Sequence, residues 1–234
     1  MQYSRANAAR RLIGIVRSPH ATFSGVVNRP RWLDLAAVII LISVAWNVGF
    51  LMTRVGRLAA LDQEVRQLEL MGTVVTDETY ADLRSWQPYR PLFSAAAIAI
   101  GWPLLWFCAA AILKAIGNRG VRQATFAQVL AVLVHASSIF ALRAIIAAPL
   151  NYARESLGGS TTLGVLIPGL RDSTFVARLL SAVDVFALWW VVLVAMGLSV
   201  LYQTRTLPIA RWLLGAYATG AAALALTQAL RGGI

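Results

Sequence analysis

The chain has 234 residues, of which 59% are hydrophobic and 13% are charged. Soluble domains carry about 25% charged residues, so this composition excludes an ordinary water-soluble protein and indicates an integral membrane protein. The formal net charge of +11 does not indicate nucleic-acid binding, because the basic residues lie between apolar runs instead of clustering on one solvent face. The single cysteine, Cys108, excludes an internal disulfide and a four-cysteine zinc site.

Residues 1–32 form a basic segment that contains six arginines and no acidic residue. Apolar residues between Ala6 and Arg17 predict an amphipathic helix that lies in the plane of the membrane interface. Ser18 as N-cap and Pro19 as the first helical residue predict a second short helix, which Pro30 ends. We interpret the segment either as a docking collar for a partner protein or as a topology signal with a membrane anchor.

Five stretches without acidic or basic residues follow, each 19 to 23 residues long. About 20 helical residues cross a hydrocarbon core of about 30 Å, so each stretch predicts one transmembrane helix. The stretches are apolar on all sides, which excludes the alternating strands of a barrel. We therefore predict an all-α fold with a single five-helix membrane domain over residues 33–230. The predicted spans are about 33–53, 91–113, 124–150, 183–204 and 212–230.

The distribution of basic residues predicts the orientation, because excess arginine and lysine stay on the cytoplasmic side. The segment before the first span and the second-to-third and fourth-to-fifth loops contain basic residues and no acid, whereas loop 54–90 contains five basic and six acidic residues. We predict a cytoplasmic N-terminus and place loops 54–90 and 151–182 outside. Because the number of spans is odd, the C-terminus is also expected outside.

Loop 54–90 contains apolar residues at spacings of three or four, which predict an amphipathic helix continuing from the first span. Thr76, followed by two acidic residues, predicts the N-cap of a second helix. Together the two helices would form an extracytoplasmic hairpin. The apolar stripe is expected to pack on the second helix or to bind a subunit or partner protein. This candidate partner surface consists of Leu58, Leu61, Val65 and Leu68.

Polar side chains within or at the edge of the spans form the candidate site. Arg143 lies in the third span, where an arginine costs at least about 2.5 to 3.5 kcal/mol, and Asp184 opens the fourth. We predict an ion pair that fixes helix register, with snorkelling of Arg143 or a substrate or proton pathway as alternatives. His135 and Asn47 are interpreted as interhelical hydrogen-bonding groups. The other histidine, His20, is expected in the cytoplasm, which opposes bis-histidine ligation of haem or metal.

The sequence contains no GxSxG, HExxH, GxxxxGK[ST] or CxxC motif. We therefore predict no enzymatic activity, no catalytic residue, no metal ion and no cofactor. The expected function is a scaffold or accessory subunit in the lipid bilayer, bound to a protein partner or a second copy. A small transporter or lipid-handling protein is the alternative. One lysine among 21 basic residues, with many alanines, is typical of a GC-rich bacterial genome, so we expect a multi-pass protein of the bacterial cytoplasmic (inner) membrane.

Three stretches resemble the Yip1-domain family of five-span membrane proteins, especially its bacterial branch. They are SPHATFSGVVNRPRW before the first span, ATFAQVLAVLVHAS at the third and VDVFALWWVVLVAMGLSVL in the fourth, where Asp184, Phe186 and Trp189 are most characteristic. The resemblance implies a non-enzymatic membrane scaffold, and some bacterial relatives accompany ABC-type export systems as accessory subunits. The long charged loop 54–90 departs from the compact eukaryotic pattern, so Rab GTPase binding and vesicle traffic are not carried over.

Overall fold

The computed structural model describes residues 8–70, 72–120, 122–155, 160–167 and 175–231. Within these ranges the secondary structure is helical apart from one isolated β-bridge between Thr162 and Asp184. Parts of the predicted outer loop 151–182 and the predicted C-terminal tail lie outside the described residues. The α-helices are α1 (Ala8–Arg17), α2 (Pro19–Asn28), α3 (Leu33–Met52), α4 (Arg54–Leu70), α5 (Asp77–Ser85), α6 (Arg90–Gly117), α7 (Phe126–Ala136), α8 (Ser138–Ala153), α9 (Phe175–Ala182), α10 (Val185–Tyr202) and α11 (Thr206–Arg231).

Within the described residues, five helical segments are long and apolar enough to cross a membrane, which confirms the predicted all-α fold with five candidate spans. Span 1 is α3, span 2 is α6, span 3 is α7 with α8, span 4 is α10 and span 5 lies in α11. Span 3 contains a turn at Ser137, whose N–H still donates to the Leu133 carbonyl at 2.9 Å.

Helix α11 begins at Thr206, before the predicted start of the fifth span at Trp212. The uncharged run starts only after Arg211, but this arginine is exposed on the helix surface and therefore does not interrupt the helix. Pro208 is tolerated because it lies in the first turn, where backbone N–H groups have no intrahelical acceptor.

The chain divides into two compact units. The core of the first unit is built around α7, in which every residue from Val129 to Ala136 is buried. The second unit includes α4, α5, α9 and most of α8. The first unit comprises Met1–Ser43, Ile98–Leu142 and Phe186–Gly215, and the second comprises Val44–Ala97, Arg143–Val185 and Ala216–Ile234.

Helices α1 and α2 belong to the core of the first unit, because both pack on α7. Ile15 and Phe23 are completely buried. A Cβ atom on Gly197 of α10 would lie 3.0 Å from the Phe23 ring, so glycine permits this close approach. On α1, Arg11 and Ile15, one turn apart, face the protein, while Ile13 is 54% exposed, so one side of this amphipathic helix packs on the first unit. Its position in the membrane interface stays a prediction. Periodicity identifies an amphipathic helix but not the partner of each face.

In the second unit, α4 is a separate helix and not the predicted continuation of span 1. The chain turns at Thr53, whose hydroxyl donates to the Phe50 carbonyl at 2.7 Å and accepts from the Gly56 N–H at 2.9 Å. A threonine side chain that bonds neighbouring backbone groups competes with the continuous helix. Helix α5 follows the predicted signal, since the Thr76 side chain accepts from the Thr79 N–H.

Gly56 is required for the turn at Thr53, because a Cβ atom there would collide with the Phe50 carbonyl group, whose carbon would lie 2.6 Å away. We expect Gly56→Ala to lower the free energy of unfolding by about 1 to 3 kcal/mol, since backbone atoms cannot move aside as a side chain can. Gly49→Ala is the control, because nothing lies within 4 Å of a Cβ atom at that position. SDS titration in mixed micelles measures both changes, and equal stabilities of the two variants would contradict the assignment.

Candidate functional site

Arg143 on α8 and Asp184 at the start of α10 form an ion pair, with Nη2 3.0 Å from Oδ2. The Arg143 side chain is 38% exposed and that of Asp184 is 15% exposed. Thr161 bridges them, because its hydroxyl accepts from Arg143 Nε at 3.0 Å and donates to Asp184 Oδ2 at 2.5 Å. The sequence analysis did not identify Thr161, since a threonine in a loop carries no distinctive signal.

The backbone around Asp184 is tied to the same loop. The Val185 N–H donates to the Thr161 carbonyl at 3.0 Å, and the Leu163 N–H donates to the Val183 carbonyl at 2.9 Å. Tyr217 on α11 accepts from the Asp184 N–H at 3.1 Å. These bonds join α8, the loop that contains Thr161, the start of α10 and the middle of α11.

Asn47 lies on α3 and accepts a hydrogen bond from the Ser94 hydroxyl on α6. On the preceding residue, the Trp46 indole N–H donates to the Ala144 carbonyl of α8. Adjacent residues of span 1 therefore contact two different spans. Such interhelical bonds contribute about 0.6 kcal/mol each on average in a membrane protein, so they orient helices more than they stabilise them.

His135 is completely buried. Its Nδ1 lies 2.7 Å from the Ala131 carbonyl, and its Nε2 lies 3.4 Å from Arg11 Nη1. A carbonyl only accepts and a guanidinium only donates, so the proton resides on Nδ1 and Nε2 accepts. Arg11 also pairs with Asp34. Within the described residues, no group of three or more His, Cys, Asp or Glu side chains is placed to hold a metal ion.

Ser137 joins spans 2, 3 and 4 through one buried hydroxyl. It donates to the Leu133 carbonyl at 2.9 Å and accepts from the indole N–H groups of Trp106 at 2.9 Å and Trp190 at 3.1 Å. Because the hydroxyl uses its single proton and both lone pairs, its hydrogen-bonding capacity is filled. The turn between α7 and α8 coincides with this residue.

The aromatic residues Phe186 and Trp189, which carry the family resemblance, lie near the start of α10. Their rings stack with centroids 6.4 Å apart. Phe186 packs against the core of the first unit, whereas Trp189 is exposed. The neighbouring Trp190 reaches Ser137, and its ring also contacts Phe140 at 6.1 Å.

The candidate partner surface on α4 is not uniformly exposed. Leu58 is 49% exposed and Leu61 is 3% exposed, while Val65 and Leu68 are half-buried. The buried side of the helix includes Ala60, a small residue that allows close packing. Leu58 therefore lies on the exposed side of α4, and Leu61 lies on its buried side.

The model of the Yip1 domain matches residues 13–227, which contain all five candidate spans. No match was found among curated proteins, and none was found among solved structures. The match covers nearly the whole chain, including the aromatic residues of α10 and both residues of the Arg143–Asp184 pair. The resemblance seen in three short stretches therefore extends over the fold, and the chain belongs to the Yip1-domain family of membrane proteins.

Proposed function

We propose that this protein is a non-enzymatic membrane scaffold or accessory subunit, of the bacterial branch of its family, with an ABC-type export system as the candidate assembly. Family membership supports a membrane role. Arg143, His135 and Asn47 are each bonded to another helix or loop of the same chain. Side chains held in this way stabilise helix contacts and are not directed at a solute, which favours the scaffold over the transporter.

The observation that carries this proposal is a set of exposed apolar side chains outside the candidate spans. Exposed apolar residues within a span are expected to face lipid, whereas these residues lie in the connection between spans 1 and 2, outside the candidate spans. Aromatic residues are enriched at protein interfaces, and exposed apolar groups of this kind mark binding surfaces. The exposed side chains are Leu58, Val74, which is 82% exposed, Tyr80, Trp86 and Tyr89.

A photo-crosslinking amino acid tests the surface in intact membranes. We expect discrete protein adducts from positions Leu58 and Trp86, because both side chains are accessible. Leu105 is the matched control, since it is exposed but lies within candidate span 2. An adduct with a second copy would identify a homo-oligomer. Recovery of the chain alone under several mild detergents, without adducts at either position, would contradict the proposal.

We further propose that the N-terminus is cytoplasmic and that α4 and α5 form a helical hairpin outside a bacterial inner membrane. The charge distribution supports this orientation. The segment before span 1 contains six arginines and no acidic residue, whereas the connection between spans 1 and 2 contains five basic and six acidic residues. Excess positive charge is retained on the cytoplasmic side.

Reporter domains inserted into two exposed connections measure this orientation. We expect a reporter after Gly120 to be cytoplasmic and a reporter after Val74 to be outside, because their flanking segments differ in net basic charge. Both sites lie between helices, so the insertions leave the spans intact. The opposite pattern would reverse the proposed topology.

A further inference from the structure

Seven exposed basic residues lie in the segment before span 1, between spans 2 and 3, between spans 4 and 5, and in the second turn of α11. Successive membrane-spanning helices cross in opposite directions, so in the proposed topology these positions share the cytoplasmic side of the membrane. We call this set the cationic rim. It consists of Arg17, Arg29, Arg31, Arg119, Arg122, Arg205 and Arg211.

Acidic side chains of the same unit do not neutralise the cationic rim. Asp34 is the one acidic residue in the sequence of the first unit, and it pairs with Arg11. In the part of the chain that the structure describes, no rim residue takes part in an ion pair. Arg90, near the opposite end of span 2, is by contrast paired with Glu64 at 2.6 Å. The rim therefore presents positive charge to its surroundings.

Exposed apolar residues accompany this charge on α1. Ile13 and Val16 are exposed on the same side of the helix as Arg17, and Leu33 is exposed where span 1 begins. Apolar side chains beside arginines are typical of a surface that enters the boundary between head groups and acyl chains. An acidic protein would complement the charge but would leave no lipid for the apolar groups, so the combination favours a phospholipid.

We propose that the cationic rim binds the phosphate groups of anionic phospholipids and selects them over zwitterionic ones. Arginine forms charge-assisted hydrogen bonds to phosphate oxygens, and each basic residue near an anionic membrane surface contributes attraction that salt weakens. Span ends at several places around the unit supply the charges, so several lipids bind at once. The inference concerns a lipid partner and does not depend on the proposed scaffold function.

The full chain is reconstituted in vesicles of phosphatidylcholine with a minority of phosphatidylglycerol. Native mass spectrometry then measures the ratio of the two lipids that the protein retains after mild detergent extraction. We expect phosphatidylglycerol to be enriched at least about fivefold relative to the vesicle, with the enrichment falling as salt rises. Equal retention of both lipids at low salt would overturn the proposal.

A matched pair of triple variants locates the effect. We expect Arg29→Gln, Arg119→Gln and Arg122→Gln together to reduce the enrichment at least about fivefold, because three rim charges are removed. The control changes three exposed arginines elsewhere in the chain and should leave the enrichment unchanged. An equal reduction by both triples would refute the rim as the site. If the rim variant does not fold, the unmodified protein still tests the proposal, because an enrichment that does not fall as salt rises would contradict it. The control changes are Arg54→Gln, Arg66→Gln and Arg84→Gln.

Discussion

Replacing Ser137 with alanine is expected to lower the free energy of unfolding by about 2 to 4 kcal/mol. The substitution removes the acceptor of two indole N–H groups, from Trp106 and Trp190, and each unsatisfied buried donor costs about 1 to 3 kcal/mol. Trp190 is only half-buried, so its share is the smaller one. The loss of contacts among three spans should also increase the mobility of both indoles.

Ser138→Ala is the matched control, because Ser138 is also buried but its hydroxyl donates to the His135 carbonyl three residues earlier, at 2.7 Å, and, within the described residues, to no other span. Thermal unfolding in detergent and SDS titration measure stability, and tryptophan anisotropy measures indole mobility. A loss in Ser138→Ala as large as in Ser137→Ala would show that small-residue packing, and not the shared hydroxyl, stabilises this position.

The second large effect is expected at the Arg143–Asp184 ion pair. Removal of one partner of a buried pair typically costs about 3 to 5 kcal/mol because the remaining charge is stranded. Solvent screens an unpaired Arg143, which is 38% exposed, better than an unpaired Asp184, which is 15% exposed. Leaving Asp184 without its partner therefore costs more than leaving Arg143 without its partner. We therefore expect Arg143→Leu to cost about 2 to 4 kcal/mol and Asp184→Asn to cost less.

A double-mutant cycle measures the coupling of the pair. The variant with both changes should recover at least about 1 kcal/mol relative to the sum of the single losses, because neither charge then lacks its partner. Arg154→Leu controls for the loss of an exposed arginine from the same region. Strictly additive losses would mean that Arg143 interacts with head groups alone, and that Asp184 acts only through its backbone and Thr161.

The spans could be predicted because their signal is local. Five uncharged stretches of sufficient length require helices in a membrane, since each backbone group must be bonded within its own segment. The ends of spans were less predictable. Thr53 ends span 1 through hydrogen bonds of its side chain, but in the sequence it looks like any other polar residue. Arg211 is compatible with a helix because its side chain is exposed.

The polar partners were predictable only where an unusual residue required one. An arginine in a span demands compensation, so Arg143 pointed to Asp184, the acid at the start of span 4, whereas Thr161 completes the pair without any sequence signal. Arg11 illustrates the opposite problem. It belongs to an amphipathic segment in which arginines normally face head groups, yet its guanidinium contacts His135, 124 residues later in the chain. Long-range pairing of this kind depends on tertiary packing.

The contact between Arg11 and His135 cannot form until both residues have been synthesised, and the ribosome adds them at different times. Their separation of 124 residues corresponds to about 6 to 25 s of synthesis at about 5 to 20 residues per second. Gln128, which binds the Val27 carbonyl at the end of α2, follows its partner by 101 residues. The first helices to be made must therefore wait for span 3, and during that interval the membrane surface is the environment that suits the amphipathic pattern of α1.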